Sequence, residues 1–494
     1  MDANSTINNN KNLQKDNQEE ANVESRSRLS DLPDEILQKI LSNLPTKEAV
    51  ATTVLSKRWE NQWMNISKID LKFDESAPEK RQRFIEFMDK LLVVCDISKL
   101  KMFSLSFEVG EEFPRVNKWL SVFVNPMIEE LNLELERVSN PLVLPNHFFT
   151  SDKLTKFHLS MRQVINFPST IHLENLVTLT LKHVIFPDTH STSQFFSGLP
   201  SMKELSLTDC NWKKVENIFI NFPLLQKLYI RDWKDDDIEE EEHDHHHNVE
   251  AYVVEINGGL YIHDVVLHHI NFSYIKIAIM ASNLVTFIYD GDLINDYALF
   301  NTTSATEATI EAHEQHNKVL PAGYYVYTLL KELFRIKNLS ISDFALEAFG
   351  QSPSYAENLS IFFRLVDLHV ISSSTMDLSC QGLQALLRKS PILEEIEFQM
   401  GVTLDESEGN DIDSLPTCFL THLKNIKIYN FCGNEGEINA IKYLLNTAQV
   451  LDILYIQYNE SHFDSPEGSE KLQTFFDQVD EFPKVSRDCV IEIE

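Results

Sequence analysis

"LVTLTL", residues 176–181, carries apolar side chains at its first, fourth and sixth places. The alternation in its second half is the period of a strand with one buried face, and the leading leucine is a separate anchor. The same spacing returns as "LKMFSL" at 100, "IEELNL" at 128, "LTKFHL" at 154, "MKELSL" at 202 and "LQKLYI" at 225. Later copies are "LVTFIY" at 284, "IKNLSI" at 336, "LVDLHV" at 365, "LEEIEF" at 393, "LKNIKI" at 423 and "LDILYI" at 451. Start-to-start distances are 28, 26, 22, 26 and 23 residues, then 59 and 52, then 29, 28, 30 and 28.

A six-residue core at this period is that of a leucine-rich repeat. Each copy predicts a short strand, inward at its apolar positions, in a parallel sheet lining a concave face. "RQRFIEFMDKLLVV" from 81 and "VNKWLSVFV" from 116 have the spacing of helices returning over the convex face. One strand and one helix cannot cover their own apolar faces, so the units must stack. Each long gap fits two units, one of them degenerate, with "YVVEINGGLYIHDV" as the candidate in the first. A conventional domain with parallel strands would call for glycine-rich turns, and the chain has 13 glycines in all. The expected fold class is α/β, a repeat solenoid behind a short helical segment.

The chain has 494 residues, 43 of them basic and 75 acidic, for a net charge of −32. The run Asp235 to Glu250 holds nine acidic residues and no Lys or Arg, which leaves the rest near −23. Such a field repels phosphates, so nucleic-acid binding is not expected. Six scattered cysteines without a C-x-x-C pair read as reduced thiols of an intracellular protein. No apolar run reaches the roughly 18 residues of a membrane span, and the polar start shows no secretory signal. The expectation is a soluble protein of the cytoplasm, the nucleus or both, with no membrane partner.

Residues 1–28 are polar and aperiodic, as in a disordered tail. Next comes "LSDLPDEILQKILSNLPTKEAVATTVLSKRW", residues 29–59, with three helix-start signals. Asp31 suits the cap of a first helix carrying Ile36, Leu37, Ile40, Leu41 and Leu44 on one stripe. Pro45 stops it, Thr46 suits the cap of a second, and Ser56 that of a third with Trp59 and Trp63 on one face. Three such helices expose more apolar surface than they can bury among themselves, so they need a partner surface. Trp63 and Met64 read as the seam to the repeats, since "ISKIDLKFD" follows as the first strand.

This segment, with its Leu-Pro opening, Ile/Leu stripe, Leu44-Pro45 and "VLSKRW" ending, resembles the F-box, in particular that of plant proteins. "CFLTHLKNIKIYNFCGNEGEINAIKYLLNTAQVLDILYI" with "FPKVSRDCVIEI" resembles the FBD domain that ends many plant F-box proteins with leucine-rich repeats. The resemblance implies an F-box over 29–70, repeats over 71–414 with an acidic insertion at 234–250 and a loop at 300–322, and an FBD domain over 415–494 continuing them. It also implies a non-catalytic substrate-receptor subunit of a Skp–cullin–F-box ubiquitin ligase, the F-box docking a Skp-type adaptor and through it a cullin, the repeats recruiting a protein substrate. Leu32, Pro33, Ile36, Leu37, Ile40, Leu41, Val54, Leu55 and Trp59 would contact the adaptor or hold the helices that do. A charge in that stripe, such as Leu37→Asp, is expected to abolish adaptor binding and leave the repeats folded. The alternative is a repeat-based interaction scaffold that recruits no cullin.

Substrate contacts are expected from alternate strand positions: Glu130, Asn132 and Glu134; Lys156, His158 and Ser160; Glu204, Ser206 and Thr208; Lys227, Tyr229 and Arg231. His243, His245, His246 and His247 sit among carboxylates, but an acidic insertion supplies no scaffold for coordination, so no metal is expected. G-x-S-x-G, G-x-x-x-x-G-K and H-E-x-x-H motifs are missing, and neither a catalytic residue nor a cofactor is expected.

Overall fold

A computed structural model describes residues 32–73, 77–141, 143–215, 217–232, 276–291, 293, 296–313, 322–351, 353–404, 415–459, 466–479 and 481–494. The chain divides into two compact units: residues up to Val138 with Leu144–Leu154, and Ser139–Val143 with Thr155–Glu494.

In the first unit, helices Asp34–Ser42 and Thr46–Ala51 each follow a proline, Pro33 and Pro45. The Pro33 carbonyl accepts from the N–H groups of Ile36 and Leu37, at 3.0 and 3.1 Å. Proline brings a φ suited to helix entry and lacks only an N–H that the helix would leave unpaired. The capping roles expected from sequence are corrected here. Thr46 is not a cap but the first helical residue, buried, and its hydroxyl accepts from the Asp70 N–H at 2.7 Å. Asp31 lies outside the described residues. No third helix starts at Ser56: turns lead to a 3-10 helix, Gln62–Asn65.

Strands Lys68–Lys72, Met102–Glu108 and Glu130–Glu136 then pair in chain order, all parallel. Helices Pro78–Val94 and Phe113–Phe123 cover one face of them. There Phe103 stacks on Phe123 at 4.8 Å, and the buried Trp119 donates its indole N–H to Asp89 at 2.8 Å.

The second unit carries the rest of the array. Its parallel strands are Lys156–Met161, Thr178–Lys182, Glu204–Thr208, Lys227–Asp232, Thr286–Gly291, Glu307–Ala312, Asn338–Ser342, Asp367–Ile371, Glu395–Phe398, Asn425–Phe431, Ile453–Tyr458 and Val490–Ile493, paired in that order. Every copy of the six-residue pattern begins two residues before its strand. The reason lies in the ladder: in most units the second residue of the pattern takes part in it first, as when the Gln226 carbonyl accepts from Val285 and Thr286 at 2.7 and 3.0 Å. The first, fourth and sixth places are buried, as at Leu176, Leu179 and Leu181.

That bond also corrects the reading of the first long gap. Lys227 and Thr286 are register partners, so no repeat strand stands between them; "YVVEINGGLYIHDV" lies outside the described residues. The second gap does hold a unit, within the stretch 300–322 expected as a loop. The buried Ala305, just before strand Glu307–Ala312, follows the repeat spacing with Ala308 and Ile310, and methyl groups stand at Ala305, Ala308 and Ala312 in place of larger side chains.

The returns are less uniform than expected. Helices serve early, at Pro78–Val94, Phe113–Phe123 and Thr189–Ser197, and late, at Ala322–Leu330, Asp343–Gly350, Gln381–Arg388 and Glu435–Thr447. Between these two groups, Asn217–Asn221, Lys276–Met280 and Asp296–Phe300 form a small parallel sheet instead. Several strands are followed at once by a residue with positive φ that is not glycine: Arg137 (49°), His183 (56°) and Asp209 (49°). At these turns the left-handed conformation is taken up without glycine.

Candidate functional site

Two sets of side chains were expected to act, one on the N-terminal helices and one on the open face of the strands. Leu37 and Leu41 are buried, at 0 % and 1 % exposure, on helix Asp34–Ser42, which packs against the 3-10 helix Gln62–Asn65. Trp59 is buried too, its N–H donating to the Ser56 carbonyl at 2.9 Å. These three are buried and suit the second of the two roles expected for the set, that of holding the helices. Leu32 and Ile40 are half-buried, and Pro33 is exposed. Ile36, Leu55 and Val54 are the open ones, at 43 %, 58 % and 86 % exposure.

The opposite side of the segment is closed against the first strand. Lys68–Lys72 is the edge of its sheet, and an edge strand exposes unpaired N–H groups. The Thr46 hydroxyl takes up one of these, that of Asp70, and the buried Ala49 lies on the same helix. An ion pair of 2.6 Å from Arg58 to Asp34 ties the turns to the start of the first helix, at an exposed place where its worth is under about 1 kcal/mol. The Met64 carbonyl accepts from Asp96 at 3.0 Å, which joins the 3-10 helix to the first repeat. The helices thus cap the first strand, while the bulky aliphatic Ile36, Val54 and Leu55 stay in water. Three exposed aliphatic side chains on this short segment are the ones a partner surface could cover.

On the strand face, Glu130, Asn132 and Glu134 belong to the first unit, where Asn132 donates to Glu130 at 3.2 Å. The other nine expected residues lie in the second unit, and register aligns them in rows. Glu204 pairs with Lys227, Ser206 with Tyr229 and Thr208 with Arg231. Lys156, His158 and Ser160 pair with Thr178, Thr180 and Lys182 of the neighbouring strand. Thr208 is 8 % exposed and is no surface residue. Glu204 and Lys227 neutralise each other at 3.1 Å. Burial and then the negative charge of Asp290 hold the Tyr229 hydroxyl above its ordinary pKa, so it stays a neutral donor.

Sequence reading stopped at Arg231, yet the same rows run on. Asn338, Ser340, Asp367, His369, Glu395 and Glu397 border a hollow of about 100 Å³ on the sheet face. Lys427 reaches into this acidic row to Glu395 at 2.5 Å, a bond that raises its pKa, and His369 lies 3.3 Å from Glu397. The signal was available, since alternate positions of the later copies are read by the same rule. The His243–His247 stretch lies outside the described residues.

The F-box domain matches residues 29–69, the FBD domain 411–456, and the domain described as "At1g61320/AtMIF1, LRR domain" 94–236. A putative F-box/FBD/LRR-repeat protein of Arabidopsis thaliana is 26 % identical over 435 residues, 87 % of this chain and 85 % of the relative. An F-box/LRR-repeat protein of the same plant is 24 % identical over 493 residues, 95 % of each chain. Another is 31 % identical over 215 residues, 43 % of this chain and 70 % of the relative.

Proposed function

This chain belongs to the F-box/LRR-repeat protein family, and on that premise we propose that it is a substrate-receptor subunit of a Skp–cullin–F-box ubiquitin ligase. F-box domains generally bind Skp-type adaptors. The observation that carries the reading to this chain is the exposure of Ile36, Val54 and Leu55 on a segment whose other side is closed against its own first strand. The adaptor would cover these side chains and link the chain to a cullin in the cytoplasm or nucleus. The repeats would offer the rows of alternate strand residues to a protein substrate. Rate would come from proximity, a substrate lysine held near a ubiquitin-loaded enzyme, with no reacting group supplied by this chain.

The test is capture of the full chain from plant cells beside a variant with Val54→Asp and Leu55→Asp. Leu37→Asp does not serve, because it puts a charge into a fully buried place and breaks the helices themselves. Adaptor and cullin recovered with the wild type and lost from the double variant support the reading. Adaptor without cullin would instead favour a scaffold, and capture unchanged by the variant would move the adaptor site elsewhere.

A further inference from the structure

The geometry points to a second docking site in the first unit, a cleft that takes an acidic peptide segment with an aromatic anchor. The cleft has a volume of about 300 Å³ and lies between helix Thr46–Ala51 and helix Pro78–Val94, lined by Lys47, Val50, Phe73, Lys80, Arg83, Phe84 and Phe87. Its floor is aromatic and fixed. The ring centroids of Phe73 and Phe84 are 5.1 Å apart and those of Phe84 and Phe107 5.4 Å, and the Phe73 N–H donates to the Ser106 carbonyl at 2.9 Å. Phe84 is buried, whereas Phe73 and Phe87 stay half-open to the cleft.

The rim is basic from both sides. Lys47 comes from one helix, Lys80 and Arg83 from the other, in a chain whose net charge is −32. Arg81, on the same helix, shows how the fold uses a cation for itself: its guanidinium donates to the carbonyls of Glu108 and Val109 at 2.7 and 3.1 Å and lies over the Phe107 ring. Lys47 and Arg83 hold no such bond among the described residues, and both are exposed. Two exposed cations with no such bond among the described residues, beside an apolar floor, are complementary to carboxylates flanking an apolar group. The size admits one large side chain, and a solvent-exposed charged rim around a central anchor is the anatomy of a peptide contact. An aromatic anchor fits best, because the walls are rings that stack with it.

The probe is a fluorescein-labelled seven-residue peptide with a central tryptophan flanked on each side by two glutamates and a terminal glycine. Its anisotropy is followed on titration with the full chain. Saturable binding is expected, weakening as salt rises from about 50 to 300 mM. Lys47→Glu with Arg83→Glu should weaken it by about tenfold or more, since attraction becomes repulsion at exposed sites that do not hold the fold. Glutamine in place of the glutamates, or alanine in place of the tryptophan, should weaken it similarly. The Val54→Asp and Leu55→Asp variant should bind the peptide as the wild type does, so this test stands whether or not the adaptor reading survives. No saturable binding below about 1 mM, binding indifferent to the charge reversal, or loss of binding in the Val54→Asp and Leu55→Asp variant would each overturn the site.

Discussion

Helix Asp34–Ser42 and helix Glu435–Thr447 both follow a residue with extended backbone, and they treat what lies around them in opposite ways. The first has no side-chain cap and leaves Ile36 in water. The second opens on a reciprocal capping box between Asn434 and Glu437. The Glu437 carboxylate is 3 % exposed and accepts from the N–H groups of Cys432 at 3.2 Å and Asn434 at 2.9 Å. One region spends its apolar side chains on an open surface; the other closes even its charged ones inside. The difference separates apolar side chains left open to water from an array sealed against its own neighbours, and it can be tested from both ends.

The largest effect is expected where the open region is itself closed. Leu37→Asp places a carboxylate in a site with 0 % exposure and no partner, which costs about 3–5 kcal/mol. Val54→Asp, at 86 % exposure, should cost under about 0.5 kcal/mol. Denaturant titration of the two variants would resolve this, and equal losses would erase the distinction between holding and contacting residues.

Next comes the closed region. A Cβ built on Gly382 would overlap the Leu346 backbone carbonyl, so helices Asp343–Gly350 and Gln381–Arg388 meet there only because the position lacks a side chain. Gly382→Ala should cost about 3 kcal/mol through forced separation. A melting temperature within a degree of the wild type would mean that the two helices can slide apart freely. Glu437→Ala strands two N–H groups and should cost about 2 kcal/mol, whereas Glu437→Gln keeps one acceptor and should lose less. Equal losses for the two would make the carboxylate's charge, not its acceptors, the reason for its burial.

Much of this was legible in sequence because the repeat spacing is a direct image of burial. Leucine, isoleucine or phenylalanine at three fixed places announces a strand, and Lys68–Lys72 and Glu130–Glu136 follow it. Glu307–Ala312 escaped because Ala308 and Ala312 fill its inward places with little apolar weight. The third N-terminal helix was overcalled because Ser56 has the right chemistry for a cap, but Trp59 is drawn into the core through turns. The division of the N-terminal stripe into Leu37 and Leu41 inside and Ile36 outside was beyond sequence. All three are apolar and nearly adjacent, and only the packing of the folded segment tells them apart. The cleft around Phe73 and Phe84 was beyond it for the same reason, since its walls come from two helices that no motif links.

The smallest effect tests whether the acidic strand face is a strained surface or a neutral one. Burial, and then the charge of Glu395, raises the Asp367 carboxyl above its ordinary pKa, with Lys427 opposing. A carboxyl raised by folding is stabilising while protonated. That contribution is complete below the ordinary pKa of 3.8 and is lost as pH climbs through the raised value. At neutral pH the ionised group therefore costs stability, though only a few tenths of a kcal/mol on so open a face. Asp367→Asn should melt slightly higher than the wild type at pH 7, with the gap closing as pH falls toward the ordinary carboxylate range. A gap that widened in acid would mean that the Asp367 charge is favourable where it stands, as one member of a balanced row with Lys427 and His369.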